Sequence, residues 1–165
     1  MANNYMQFSE KIDGLTPEMA EWVERVLCFD GSPYRNDENE DNYLAALADL
    51  LGVKLEELVD VDVDFWPNFD WQVGGAEKSS LWLKDNGESF GFDELMLFVH
   101  ALIKKWMPDY IFTMTWAGTC SKHRLGEFGG GWAMVTKDVV DYEDTWAEVN
   151  ARVKKYQKEE DQDDR

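Results

Sequence analysis

Residues 110–136 constrain the fold more than any other stretch, because they combine two strand-like runs with an unusual loop. The runs at 110–116 and 132–136 alternate apolar and polar side chains and are rich in aromatic and β-branched residues. The loop between them contains Cys120, His123 and three consecutive glycines. Glycines just before a strand are typical of a β-bulge or of a close approach of another group to the backbone. We therefore expect a β-loop-β unit at the centre of the fold.

Helices are predicted on both sides of this unit. One begins at Thr16, whose side chain can cap free backbone N–H groups, and ends near Leu27. The predicted core helix, at 91–107, carries acidic residues in its first turn, lysines in its last and a broad apolar face. A final helix at 145–158 carries an apolar stripe on one side. The stripe consists of Trp146, Val149, Val153 and Tyr156.

The remaining segments complete the pattern. A helix is predicted at 41–51, with Gly52 as its C-terminal cap, and an edge strand at 59–65. Two short strands at 69–73 and 80–84 form a predicted hairpin.

Together these elements predict one two-layer α+β domain. Its sheet is expected to be mainly antiparallel, with four to five strands and with the helices packed on one face. The domain is expected to span residues 1–158. Residues 159–165 are predicted to form an acidic disordered tail.

The charge of the chain is strongly negative and unevenly placed. The formal net charge is -18, and the first 100 residues hold 22 acidic and 6 basic side chains. Such a field repels nucleic acid and anionic membranes, because binding to phosphate depends on lysine and arginine. It attracts a basic protein surface. The alternative is that the charge only keeps the protein soluble.

An acidic, tryptophan-rich domain of this size is suited to block a basic groove. Eight tryptophans in 165 residues leave aromatic side chains for a binding face after the core is filled. Carboxylates can stand in for nucleic-acid phosphates. We therefore predict a protein-binding inhibitor of the anti-defence or immunity type found in phages and plasmids, whose partner is a nucleic-acid-handling host or toxin protein. The predicted contact residues are Asp37, Glu38, Glu40, Asp41, Glu56, Glu57, Asp60, Asp62 and Asp64.

The loop at 119–131 offers an alternative site. Cys120 and His123 could form a nucleophile and its base, with Glu127 orienting the base. Lys122, His123 and Arg124 could instead bind an anion. Three residues apart in a loop, a cysteine and a histidine need not face each other, and the basic side chains can equally pair with the acidic half of the chain. An enzyme is therefore an alternative to the predicted non-catalytic inhibitor, as is a homo-oligomer with tryptophans in its interface. The loop residues concerned are Cys120, Lys122, His123, Arg124 and Glu127.

No cofactor or metal site is predicted. Cys120 and His123 have the spacing of zinc ligands, but a closed zinc site needs four ligands, and Cys28 and His100 stand alone. The first residues lack the apolar segment of a signal peptide, and the longest apolar run, 95–103, is too short to span a membrane. The prediction is a cytoplasmic protein that binds neither membrane nor nucleic acid directly.

The chain resembles a group of small acidic bacterial, phage and plasmid proteins. They share a strand, a Thr-Cys-Ser-Lys turn, a Gly-Glu-Phe-Gly-Gly-Gly run and a second strand, and the two motifs lie here at 119–122 and 126–131. Their opening sequence is also similar to residues 8–23. The resemblance covers most of the chain outside residues 30–66. It implies a shared α+β domain and carries over no function and no site residue.

Overall fold

In a computed structural model, the structure describes residues 4–28, 48–52, 54, 68–87, 89–122 and 128–163. Within these ranges, seven strands in two antiparallel sheets form the framework of the protein. The strands are β1 (Asn4–Gln7), β2 (Ser9–Asp13), β3 (Asp70–Gly74), β4 (Ser80–Lys84), β5 (Phe112–Cys120), β6 (Gly129–Val135) and β7 (Val140–Asp144). One sheet has the strand order β1-β5-β6-β7 and the other the order β2-β4-β3.

Three α-helices accompany the sheets within the described ranges. They are α1 (Pro17–Leu27), α2 (Phe92–Trp106) and α3 (Thr145–Asp163). The predicted α+β class and the antiparallel pairing of the strands are confirmed. The strands form two sheets, however, where the sequence predicts one sheet of four to five strands. β1 belongs to the four-stranded sheet and β2 to the three-stranded sheet. The sequence pattern reveals neither strand, so it does not predict the division into two sheets.

Phe8 lies between β1 and β2, where the chain leaves one sheet and enters the other. β1 pairs with β5, and β2 pairs with β4. The buried ring of Phe8 packs on Phe90, with 4.5 Å between the ring centroids. Its backbone N–H donates to the side chain of Asp85, and its C=O accepts from the Asp85 N–H, each at 3.2 Å. The sequence does not predict β2 because Ile12 is its one buried residue, so an alternating apolar pattern is missing.

The first helix follows its predicted bounds. Thr16 Oγ1 accepts a hydrogen bond from the N–H of Met19 at 3.3 Å, which caps the helix as expected. The buried indole of Trp22 donates from Nε1 to the C=O of Leu50 at 3.0 Å. This bond ties α1 to the helical residues 48–51.

Gly52 ends that helical segment. Its φ of +71° lies in the left-handed region, and its N–H donates to the C=O of Ala48 at 2.8 Å. The predicted glycine cap is therefore confirmed. The rest of the helix predicted at 41–51 and the edge strand predicted at 59–65 lie outside the described residues.

The second helix is the core helix, as predicted. One hydrophobic cluster joins α1, α2 and one face of each sheet, so the opposite faces of the sheets turn outward. The largest fully buried side chains of the cluster are Trp22, Phe98, Phe112, Ile12, Leu51, Leu81, Leu83, Leu95 and Leu102.

β3 and β4 form the predicted hairpin. Their connection is a short 3-10 turn, Ala76–Lys78, in which Glu77 and Lys78 have φ values of +57° and +59°. Lys78 Nζ lies 2.6 Å from Glu24 Oε1, which links the hairpin to α1.

The C-terminal part differs from the prediction in four ways. β5 runs over Phe112–Cys120 rather than 110–116, so that Cys120 belongs to the strand and not to the loop. β7 is not predicted by the sequence, and β6 begins at Gly129 rather than at 132. The backbone of α3 remains helical to Asp163, past the predicted end at 158. Trp146, Val149 and Val153 of the predicted stripe are about half exposed, and of these the Trp146 indole packs on Gly129.

Candidate protein-binding surface

The triple glycine is part of β6 and makes room for two tryptophans. The indole of Trp116 lies against Gly131, where an added Cβ would overlap the ring. The indole of Trp146 covers Gly129, with 3.2 Å between the ring and the position of an added Cβ. The register of β5 with β6 contains no extra residue, so a bulge is not present there. The two indoles confirm the other expectation, a close approach of another group to the backbone. These glycines serve the packing of the sheet.

Only part of the alternative loop site lies within the described residues. Cys120 ends β5 opposite Asn4 of β1 and is partly buried, and Lys122 is exposed. The other three members, His123, Arg124 and Glu127, lie outside the described residues. A catalytic arrangement of Cys120, His123 and Glu127 therefore stays a prediction.

The nine predicted partner-binding acidic residues also lie outside the described residues. They are Asp37, Glu38, Glu40, Asp41, Glu56, Glu57, Asp60, Asp62 and Asp64. Their contribution to a binding surface stays a prediction.

A different surface combines exposed aromatic and acidic side chains. It is the outer face of the four-stranded sheet, where Trp132 of β6 lies directly between Thr115 of β5 and Glu143 of β7. Directly opposite residues of antiparallel strands project to the same face, so the Glu143 carboxylate lies beside the indole. Trp132 is 38% exposed. An aromatic side chain is thus presented to solvent next to a negative charge.

The same arrangement repeats two residues along β6. Met134 lies between Thr113 of β5 and Asp141 of β7. A shallow depression of about 330 Å³ on this side is lined by Glu10, Thr113, Thr115, Trp132 and Met134 together with Met114 and Ala133. We define the acidic–aromatic face as Glu10, Trp132, Met134, Asp141 and Glu143.

The three carboxylates of the acidic–aromatic face have no cationic partner among the described residues. The ion pairs there use the carboxylates of Asp13, Glu24, Asp70 and Glu148 instead. The face therefore presents uncompensated negative charge within the described part of the chain.

The outer face of the three-stranded sheet provides a contrast. It also presents a tryptophan, Trp82, which is 42% exposed. Its charges are paired, however: Lys11 Nζ lies 2.6 Å from Asp13, and Lys84 Nζ lies 3.1 Å from Asp70. Glu10 lines a depression on each of the two sides, whereas Asp141 and Glu143 lie on β7 of the four-stranded sheet alone.

Tyr110 responds to the negative charge beside this face. Burial raises the pKa of its hydroxyl above the ordinary value of 10.0, and the charges of Asp13 and Glu10 raise it further. A neighbouring anion has this effect because it disfavours the charged phenolate.

The acidic–aromatic face can bind a cationic side chain. The face of an indole attracts guanidinium and ammonium groups, and carboxylates accept strong charge-assisted hydrogen bonds from them. Sequence reasoning missed this surface because β7 was not predicted. The alternation of apolar and acidic residues in Val140–Asp144 is the signal that could have found it.

Comparison with family models, with curated proteins and with solved structures found no match for this chain. Within the described ranges, no three histidine, cysteine, aspartate or glutamate side chains are grouped so that they could hold a metal ion. No helix in those ranges is both long and apolar enough to cross a membrane.

Proposed function

We propose that this protein binds a basic surface of another protein and thereby blocks a groove with which that partner handles nucleic acid. The observation that carries the proposal is the exposed Trp132 with Glu143 directly beside it, in a chain of net charge -18. An arginine of the partner can stack on the indole while its guanidinium bonds the carboxylate.

In this proposal the carboxylates take the place of nucleic-acid phosphates. Glu143 lies opposite Trp132, Asp141 lies opposite Met134, and Glu10 lines the depression beside them. These carboxylates attract the lysines and arginines that would otherwise contact phosphate. The field of the whole chain accelerates association with a basic partner. Burial of the tryptophan then slows dissociation, because aromatic side chains carry much of the energy at protein interfaces. The function needs no catalytic group, and none is assigned.

The proposal includes the acidic residues predicted between positions 37 and 64. They strengthen the negative field and extend the surface on which a basic groove could close. We place the protein in the cytoplasm, as an anti-defence or immunity-type inhibitor, because nucleic-acid-handling host proteins and toxins act there.

Affinity capture tests the proposal. Immobilised protein is incubated with bacterial lysate at about 50 mM and about 500 mM salt, because exposed charge pairs are screened at the higher concentration. A basic nucleic-acid-binding protein should be retained at low salt and released at high salt. Addition of the acidic protein should also displace DNA from that partner. Failure to retain any basic protein at low salt would overturn the proposal.

Two matched double variants locate the contact. Trp132→Ala with Glu143→Gln removes one aromatic and one charge from the acidic–aromatic face, and it should lose the partner. Trp82→Ala with Glu21→Gln removes the same two kinds of group from exposed positions elsewhere, and it should retain the partner. Equal binding by the two variants would show that the acidic–aromatic face is not the contact surface.

A further inference from the structure

The helix α3 carries an apolar stripe whose described side chains are about half exposed. Its 19 residues follow β7 directly, and the side chains at 145–155 are exposed apart from the partly buried Glu148. Trp146, Val149 and Val153 are 50%, 51% and 48% exposed, and none of them belongs to the hydrophobic core. Helices in proteins are stabilised mostly by packing an amphipathic face, so this stripe requires a partner surface.

The spacing of the stripe matches a helical partner. Positions 146, 149, 153 and 156 follow the alternating three- and four-residue steps of a two-helix seam. Trp146 anchors the start of the helix to the body, because its Nε1–H donates to the C=O of Phe128 at 3.1 Å. The rest of the stripe extends away from that anchor.

We infer that the stripe packs against α3 of a second copy of this chain, with the two helices antiparallel. Charge along the segment selects this partner. Residues 143–148, which are the last two residues of β7 and the first turn of α3, hold three acidic and no basic side chains. Residues 152–158 of α3 hold four basic and no acidic ones, and Arg152 also pairs with Glu148 of its own helix. A second copy therefore supplies both an apolar stripe of the same spacing and blocks of complementary charge.

The apolar and charged patterns select the same register. Antiparallel packing that lays position 149 beside position 153 of the second copy also lays position 146 beside 156. In that register the basic block at 152–158 runs along the acidic block at 143–148 of the second copy. Parallel packing would lay basic on basic, which is unfavourable. The inference depends on α3 and on Glu143 and Asp144 just before it. Glu143 also belongs to the acidic–aromatic face, so self-association is measured in the absence of a basic protein.

Solution mass tests the inference directly. Light scattering across a concentration series up to about 0.5 mM should reach twice the 19.2 kDa mass of one chain. The double variant Val149→Glu with Val153→Glu should weaken self-association by more than about 100-fold, because it places charge in the apolar seam. Glutamate has a high helix propensity, so α3 should be retained, which far-ultraviolet circular dichroism checks.

The matched control places the same charges on the opposite side of the helix. Ala147→Glu with Ala151→Glu has the same four-residue spacing and should remain a dimer. A wild-type protein that stays monomeric throughout the series would overturn the inference. So would a stripe variant that dimerises as strongly as this control.

The orientation of the helices is tested by a distance. Spin labels are attached at Glu160→Cys in a Cys28→Ser, Cys120→Ser background. In the antiparallel register the two labelled backbone positions are about 27 Å apart along the helix axes, whereas parallel helices would bring them within about 10 Å. A measured distance near the shorter value would overturn the antiparallel arrangement.

Discussion

The indole ring of Trp116 occupies the space that any side chain on Gly131 would need. The backbone C=O of Glu143 closes the same space from β7. Phe92 of α2 packs on Trp116 from the core side, with 5.1 Å between the ring centroids. Trp132 is the next residue of β6 and projects to the outer face. The contact between Trp116 and Gly131 therefore positions the strand that presents Trp132 to solvent.

A methyl group at position 131 should destabilise the fold. Gly131→Ala is expected to lower the free energy of unfolding by about 2 to 3 kcal/mol, because the Cβ would overlap both the Trp116 ring and a backbone carbonyl. Equilibrium unfolding in urea measures the effect. Gly118→Ala is the control, since its Cβ would lie 3.5 Å from the backbone of Gly129, an ordinary contact. Similar losses in both variants would show that the Trp116 contact does not require the glycine.

Removal of the exposed indole should affect binding rather than stability. Trp132→Ala is expected to weaken binding of the captured basic partner by about 2 kcal/mol, which is roughly 30-fold in Kd. This is the effect expected when an aromatic anchor is removed from an interface. Its unfolding midpoint should change little, because Trp132 is not part of the hydrophobic core. Isothermal titration calorimetry gives the Kd, with Trp82→Ala as the matched variant on the other sheet. The prediction is contradicted if the two tryptophan variants bind equally.

Neutralising two carboxylates should slow association. Asp141→Asn with Glu143→Gln is expected to lower the association rate constant about tenfold at low salt and to change it little at about 500 mM salt, because charge steering is screened. Stopped-flow fluorescence measures this rate. The control, Glu21→Gln with Glu77→Gln, removes two exposed charges from other surfaces. A tenfold loss in the control as well would show that net charge, not the acidic–aromatic face, steers the partner.

The pKa of Tyr110 should fall when a neighbouring carboxylate is neutralised. Burial is the larger cause of its raised pKa, followed by the charges of Asp13 and Glu10. Glu10→Gln and Asp13→Asn should therefore each lower that pKa without returning it to 10.0. Ultraviolet titration against a Tyr110→Phe reference measures the change. Asp70→Asn, which is not among the charges acting on Tyr110, should leave the pKa where it is.

The same raised pKa predicts how stability depends on pH. The unfolded chain releases the Tyr110 proton near pH 10, before the folded protein does. The stability that Tyr110 contributes is therefore complete below pH 10 and is lost as the pH rises through the folded pKa. The free energy of unfolding of Tyr110→Phe should fall less than that of the wild-type protein across this alkaline range. Urea unfolding at several pH values tests this, and identical pH profiles would contradict it.

Local signals in the sequence predicted several elements correctly. Thr16 and Gly52 act as caps, and the apolar face of α2 forms the core, because capping and helical periodicity depend on residues within one or two turns. The hairpin of β3 and β4 follows from its turn residues for the same reason. β1 and β2 escaped prediction because their stability comes from pairing with β5 and β4, which lie far away in the chain.

The sequence by itself determined the negative charge and the α+β class, and at the triple glycine it indicated a bulge or a close approach to the backbone. Only the tertiary structure decided that Glu10, Trp132 and Glu143 share one surface, because the sheets bring together residues more than a hundred positions apart. It also decided that Trp146, Val149 and Val153 of α3 are about half exposed. An apolar stripe has the same helical period in the sequence whether it is buried or exposed. Periodicity therefore predicts the stripe, and only the packed structure shows its exposure.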